Sequence, residues 1–222
     1  VAGAFVTRAR LAARQLAWAA GPRYVLLDLA LALKGGEFVV LSGANGSGKT
    51  TLMRLLGGRM RATGGTIALD DAPLPTLDPG YVGRRIGWLG HKPGLYLDLT
   101  ARENVVLFAR IAGAAVSSAE VDELLDTVGL RRADRDRPVR QFSRGMQQRA
   151  GLARVMATSA DVWLFDEPTT GLDHDGRAML LQVLRDRADA GIAILVASHN
   201  HEVINVADRH LHLVDGRLQD AA

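Results

Sequence analysis

The sequence contains no cysteine, which excludes disulfide cross-links and thiolate metal centres. It has no apolar run of about twenty residues, the length a membrane-spanning helix needs, so no segment is expected to cross a bilayer by itself. No basic segment followed by an apolar one opens the chain, and no export signal is expected. Lysine stands only at positions 34, 49 and 92, in a chain that otherwise draws its positive charge from arginine. The net charge is +3, and the isoelectric point near 9.7 reflects arginines that do not titrate rather than a concentrated basic face. Charge alone gives no reason to expect nucleic acid as a partner.

With 222 residues, 48% hydrophobic and 23% charged, the chain suits one domain with a sizeable core. Its organising stretch is Gly43-Ala44-Asn45-Gly46-Ser47-Gly48-Lys49-Thr50-Thr51. An apolar, strand-forming run, Phe38 to Leu41, precedes it, and Leu52 to Leu56 follows with helical spacing. Strand, glycine loop and helix in that order form a phosphate-binding P-loop. Glycines let the backbone turn tightly and aim successive N–H groups at phosphate oxygens. The helix brings its positive dipole end to the same anion. Lys49 would bridge the β- and γ-phosphates, a task for a slim, rotatable cation, and Thr50 would offer its hydroxyl to Mg²⁺.

Elsewhere the chain reads as follows. Residues 1–10 carry weak strand signals and read as an extension. Leu11–Trp18 and Tyr24–Leu33 read as strands around a Gly21-Pro22 turn. Trp18 or Tyr24 offers an aromatic face to an adenine ring. Thr66–Leu69 reads as a short strand, 70–79 as a surface loop, and Arg85–Leu89 as a second apolar strand. Gly90-His91-Lys92-Pro93-Gly94 follows a strand end, where ligands sit in open α/β sheets, so His91 and Lys92 are candidates to sense a phosphate or metal. Thr100 and Glu103 form a capping-box pattern before a helix reaching Ile111, and Ser117 or Ser118 caps another reaching about Val128. Ser143-Arg144-Gly145-Met146-Gln147-Gln148 then opens a long helix, a second N-terminus suited to an anion.

The last third carries the chemistry. The apolar strand 161–165 ends in Asp166-Glu167-Pro168. Two carboxylates at a buried strand end need a reason, and a magnesium ion held by Asp166 supplies one. Strand alternation turns Glu167 to the opposite side, where it would polarise a water. Asp173 precedes the helix 174–190 and reads either as its cap or as part of the site. Ile192–Val196 is another wholly apolar strand, of the kind found in buried parallel sheets, and ends near His199. His199 would contact the γ-phosphate, with His201 as the competing candidate. Strands near 210–214 and 217–218 close the sheet.

Taken together, these residues resemble the ATP-binding subunits of ABC transporters over 11–218. The motifs are the P-loop at 43–50, the loop near 91, the Ser143-Arg144-Gly145-Met146-Gln147-Gln148 signature, Asp166-Glu167, Asp173 and His199. The resemblance implies an α/β P-loop NTPase of the ABC type: a mixed-sheet core with an antiparallel β subdomain and a helical subdomain. It implies one domain over 1–222, with 1–94 and 159–222 as the core and 95–158 as the helical part. It further implies ATP and Mg²⁺ as cofactors, and a head-to-tail dimer with two nucleotides between subunits. The nucleotide contacts implied are Gly43, Asn45, Gly46, Ser47, Gly48, Lys49, Thr50, Thr51 and Trp18. From the partner subunit come Ser143 and Gly145, with Gln147 and Asp173 beside them. Thr50, Asp166 and His91 would serve the metal, Glu167 would be the general base, and His199 the γ-phosphate switch. Integral membrane permease subunits are the implied partners, at the cytoplasmic face of the cell membrane, with no nucleic acid expected.

Three positions depart from the family pattern. Arg144 stands where the signature usually has glycine, His91 where the second loop usually has glutamine, and Ala20 where an aromatic usually stacks adenine. Trp18, on the same strand face, is the substitute. Gly90-His91-Lys92-Pro93-Gly94-Leu95, Leu99-Thr100-Ala101-Arg102-Glu103-Asn104 and Ser-Arg-Gly-Met look most like the cytochrome c maturation ATPases, which are linked to haem export or release. The alternatives are another exporter, for drugs or lipids, a soluble ABC protein acting on nucleic acid or ribosomes, and a nucleotide-dependent binding module with little turnover.

Overall fold

The computed structural model describes residues 9–220. Most of the weakly strand-like extension, 1–8, lies outside the described residues. From the N-terminal end, β1 (Ala9–Ala20) and β2 (Arg23–Lys34) form a hairpin, and β3 (Phe38–Ser42) leads into α1 (Lys49–Leu56). Next come β4 (Gly64–Leu69), the two-residue β5 (Ala72–Pro73), α2 (Pro79–Arg85) and β6 (Ile86–Leu89). The helices α3 (Ala101–Ile111), α4 (Ser118–Thr127) and α5 (Arg144–Met156) follow in succession. Then β7 (Val162–Asp166), α6 (His174–Asp189), β8 (Ala193–Ala197), α7 (His201–Asn205), β9 (Arg209–Val214) and β10 (Arg217–Asp220) complete the described chain. No helix among the described residues is long and apolar enough to cross a membrane.

Two sheets result. The six-stranded sheet runs β10-β9-β3-β8-β7-β6, parallel except for β10, and the four-stranded sheet β2-β1-β4-β5 is antiparallel. Every residue of β3, β7 and β8 is buried, which is why these strands read as unbroken apolar runs. Alternate residues feed two cores. Phe38, Val40, Trp163, Phe165, Ile194 and Val196 face the cluster built with α3 to α6. Val39, Leu41, Val162, Leu164, Leu195 and Ala197 face the cluster built with the antiparallel sheet and α1. The fold is the expected one, a mixed sheet with an antiparallel sheet on one side and helices on the other.

The segment 70–79 differs from the surface loop expected of it. It contains β5 and a 3-10 turn at Leu74–Thr76, and α2 begins within it at Pro79. Gly80 and Gly83 hide this short helix from propensity. It forms because Asp78 accepts the Tyr81 N–H as its cap and Pro79 takes the first helical position. Arg85 then anchors its end to Asp70 and Asp161. The capping-box expectations hold: Thr100 with Glu103 opens α3, and Ser117, not Ser118, with Glu120 opens α4.

The end of β3 abuts two histidines of β9. Ser42 Oγ lies 2.6 Å from His210 Nε2 and 2.7 Å from His212 Nδ1. Burial first, and then neighbouring His212, push the His210 imidazole below its usual range. The fold thus favours neutral His210. That contribution is complete above the unfolded value of about 6.5 and is lost as pH falls through the lower folded value. The urea midpoint should drop between about pH 7.5 and pH 5, and His210→Gln should flatten that drop. An identical drop in His210→Gln would remove His210 as its cause.

Candidate functional site

The loop between β3 and α1 is shaped by backbone that other residues adopt at a cost. Gly43 and Gly48 have φ of 148° and 106°. A Cβ on Gly43 would lie 2.6 Å from the Leu213 carbonyl oxygen and 2.9 Å from Ser47 Oγ. One on Gly48 would lie 2.9 Å from Leu26 Cδ2, so β2 closes over the loop. Helix α1 starts at Lys49, three residues earlier than the apolar spacing alone indicates, and no acidic residue occupies its first turn. The Lys49 ammonium donates to the carbonyls of Gly43 (2.7 Å) and Ala44 (3.1 Å), across the loop it belongs to. The Ser47 hydroxyl is buried and makes no hydrogen bond among the described residues.

The carboxylates arrive from β7. Parallel pairing sets Asp166 level with Ala197 of β8, and β8 in turn sets Ala197 level with Leu41 of β3. Thr50 Oγ1 donates to Asp166 Oδ2 at 2.8 Å, joining α1 to the end of β7 across 116 residues of sequence. Glu167 is not a further strand residue, as alternation had it. The strand stops at Asp166, and Glu167 turns left-handed, with φ of 52°. Its N–H donates to the Ala197 carbonyl. The turn, not the pleat, therefore aims its side chain. His199 Nδ1 donates to Glu167 Oε1 at 3.0 Å, which leaves Nε2 facing away from that carboxylate. His201 instead opens α7, one residue after its cap Asn200.

Asn45, Gly46, Gly48, Lys49, Thr50, Thr51, Asp166 and Glu167 line one cavity of about 260 Å³. Val25 completes the wall and was not foreseen. Trp18 packs partly buried against the core beneath the antiparallel sheet, while Tyr24 is 60% exposed. The cavity suits a nucleotide polyphosphate with a divalent cation. It has glycine backbone that admits close approach, one lysine, and an all-oxygen pair from Thr50 and Asp166 of the kind a hard cation prefers.

The other expected residues gather elsewhere, at the start of α5. Ser143 caps α5 by accepting the Met146 N–H at 3.2 Å. Gly145 packs so closely on the turn after β7 that an added Cβ would lie 2.7 Å from the Gly171 carbonyl oxygen. Gln147 donates to the Phe142 carbonyl at 3.3 Å, within its own turn. Asp173 caps α6 by accepting the Gly176 N–H, and pairs with Arg149 at 3.0 Å. The Gly176 N–H first, and Arg149 after it, hold the Asp173 carboxyl below its usual range. Gln148 reaches the Pro168 carbonyl, so α5 is stitched to the segment that follows β7. None of Ser143, Gly145, Gln147 and Asp173 lines the cavity. His91 lies against Arg144, also on α5.

A P-loop cavity with two carboxylates, and a separate glycine-containing helix start, is a divided arrangement. The family model described as ABC transporter matches residues 26–170. The chain belongs to the ABC transporter family. It is 35% identical over 204 residues to the cytochrome c biogenesis ATP-binding export protein CcmA of Shigella sonnei, covering 92% of this chain and 95% of that one. It is 38% identical over 190 residues to the CcmA protein of Hyphomonas neptunium, covering 86% and 90%. Among solved structures it superposes on a dimeric, post-hydrolysis ATP-binding cassette, MJ0796, bound to ADP and Pi. The TM-score is 0.87 at 27% identity, with 95% and 97% of the two chains covered. This ABC protein thus matches these relatives over most of each chain in both sequence and shape.

The tightest point of the loop yields a stability prediction. Gly43→Ala combines a positive φ with a carbonyl contact that cannot yield, and should cost about 1–3 kcal/mol or more in denaturant unfolding. A variant as stable as the parent would mean that the loop relaxes freely.

Proposed function

We propose that this chain is the ATP-hydrolysing subunit of an ABC export complex serving c-type cytochrome assembly, with haem export or haem release as the driven step. The observation that carries the catalytic reading is the split site. One chain presents the P-loop cavity with Asp166 and Glu167, while the Ser143 and Gly145 turn stands outside that cavity. A second copy, arranged head to tail, would bring its own Ser143 and Gly145 to the open side, with Gln147 and Asp173 behind them. The dimeric MJ0796 cassette supports such a pairing. The CcmA relatives support the cytochrome c role.

In this reading Gly43, Asn45, Gly46, Ser47, Gly48 and Thr51 cradle the phosphates through backbone N–H groups and hydroxyls. Lys49 leaves the carbonyls it now bonds and takes the β- and γ-phosphate oxygens. Thr50 and Asp166 would hold a magnesium ion, which would supply positive charge beside the phosphates. Glu167 accepts the proton of the attacking water. His199 keeps that carboxylate oriented through Nδ1–H and is the candidate γ-phosphate switch. Trp18 is the adenine-stacking candidate, and Val25 adds an apolar edge to the cavity.

The single domain is read as a core over 1–94 and 159–222 with 95–158 as a helical arm, and the arm is where a membrane subunit would dock. It carries Tyr96, Leu97 and Ile111 at 55%, 52% and 60% exposure, a set of large apolar side chains facing water. Beside it, Arg154 is buried between the Phe108 ring and the Trp88 carbonyl, and its pKa falls to about 10 through burial first and Arg59 second. Arg59, exposed over the Trp88 ring, has no carboxylate partner among the described residues, which suits an acidic, apolar segment.

Glu167→Gln tests the enzyme reading. Steady-state turnover should fall by a factor of about 10² or more, and light scattering should show a dimer that persists with MgATP. Equal hydrolysis by variant and parent would remove Glu167 from the mechanism.

A further inference from the structure

Ser42 is the last residue of β3, and its side chain is held from the neighbouring strand β9. The hydroxyl lies 2.6 Å from His210 Nε2 and 2.7 Å from His212 Nδ1, and the residue is buried. The next residue, Gly43, opens the P-loop against the same strand, where an added Cβ would lie 2.6 Å from the Leu213 carbonyl oxygen. The Gly43 carbonyl in turn accepts from the Lys49 ammonium at 2.7 Å, and Lys49 lines the nucleotide cavity. Residues 210–213 of β9 thus hold Ser42 by its side chain and Gly43 by its backbone.

A hydroxyl has one hydrogen to donate and two lone pairs. With both rings neutral, Ser42 donates to one ring and accepts from the other, and both bonds are made. One added proton is accommodated: the charged ring donates, and Ser42 gives its hydrogen to the neutral one. A second proton is not. Both rings then donate, the hydroxyl hydrogen is left with the Leu211 carbonyl at 3.4 Å, and two cations flank one oxygen. Burial first and His212 second already hold the His210 imidazole below its usual range. The neighbouring charges do not relieve this. Asp208 pairs with Arg185, Glu37 with Arg209, Arg217 with Asp28, and Glu202 of α7 with Arg177. Level with His212 on β10 stands uncharged Gln219, and level with His210 on β3 stands Val40. Asp215, Asp220 and His201 make no hydrogen bond to either ring.

We propose that Ser42, held between His210 and His212, is a positioning residue for the P-loop, and that protonation of both rings loosens its hold on Gly43 and weakens nucleotide binding. This rests on the reading of the P-loop cavity as a nucleotide site. Binding is strongest while at least one ring is neutral, and it falls as pH drops below the usual histidine value of about 6.5.

Calorimetric titration with MgADP, at about pH 7.5 and about pH 5.5, compares the parent with the His210→Gln/His212→Gln protein. The parent should lose several-fold more affinity on acidification than the double variant; the ionisation of ADP and of His199 is common to both and cancels. Equal losses in the two proteins would overturn the proposal. So would a parent whose binding-competent fraction falls while the Kd of the remainder is unchanged, since a pair that only stabilises the fold would act in that way. Ser42→Ala should bind more weakly than the parent at the higher pH, and Ser42→Thr, which keeps the hydroxyl, should recover part of the loss. Parent-like binding by Ser42→Ala would contradict the proposal. A parent that binds no MgADP at all would count against the nucleotide reading itself, and the Gly43 amide resonance of the free chain would still decide the role of Ser42. That resonance should shift with imidazole protonation in the parent and stay fixed in the double variant. Identical titration of it in both proteins would overturn the proposal.

Discussion

The parallel pairing of β3, β8 and β7 is the constraint on which the rest depends. Their register places Leu41, Ala197 and Asp166 level with one another. The three segments that follow, the glycine loop, the His199 turn and the Glu167 turn, must therefore emerge side by side. Nothing in those loops has to find the others; burial of three wholly apolar strands does it. Two short contacts then tie the edge together, Thr50 to Asp166 and His199 to Glu167. Both join residues far apart in sequence, and both lie within a turn of a strand end.

The helices α3 to α5 pack into one core cluster with the sheet and have their own attachment to it. Helix α5 lies on the segment after β7 through Gln148, Arg149 and the close pass of Gly145 over Gly171. Its N-terminus is thereby set relative to Asp166 and Glu167 without entering their cavity. A site divided in this way is consistent with control by assembly. In the proposed head-to-tail pairing, chemistry that depends mainly on positioning and charge neutralisation would wait until a second surface supplies further donors. The exposed apolar residues of the same helical region would let a membrane subunit influence when that happens.

Much of this was legible in the residues. The P-loop, the apolar strands and the Thr100–Glu103 capping box announce themselves because their physics is local: glycine at positive φ, full burial on both faces, a reciprocal cap. Less local features were not. Helix α2 contains two glycines and depends on Asp78 and on Arg85 reaching Asp161. Alternation misplaced Glu167 because a left-handed turn ends the pleat one residue earlier. Val25 reaches the cavity only because the antiparallel sheet folds over the loop, a tertiary fact with no motif. The meeting of His91 and Arg144 was likewise hidden, since each is an ordinary polar residue until the fold brings them together.

The central claim is that the glycine loop holds a nucleotide by its phosphates, with Lys49 exchanging the Gly43 and Ala44 carbonyls for phosphate oxygens. Calorimetric titration of the purified chain with MgATP measures this directly. The account predicts saturable binding by the parent and a large loss of affinity in Lys49→Ala with the fold unchanged. Superimposable binding curves for the two proteins would contradict it.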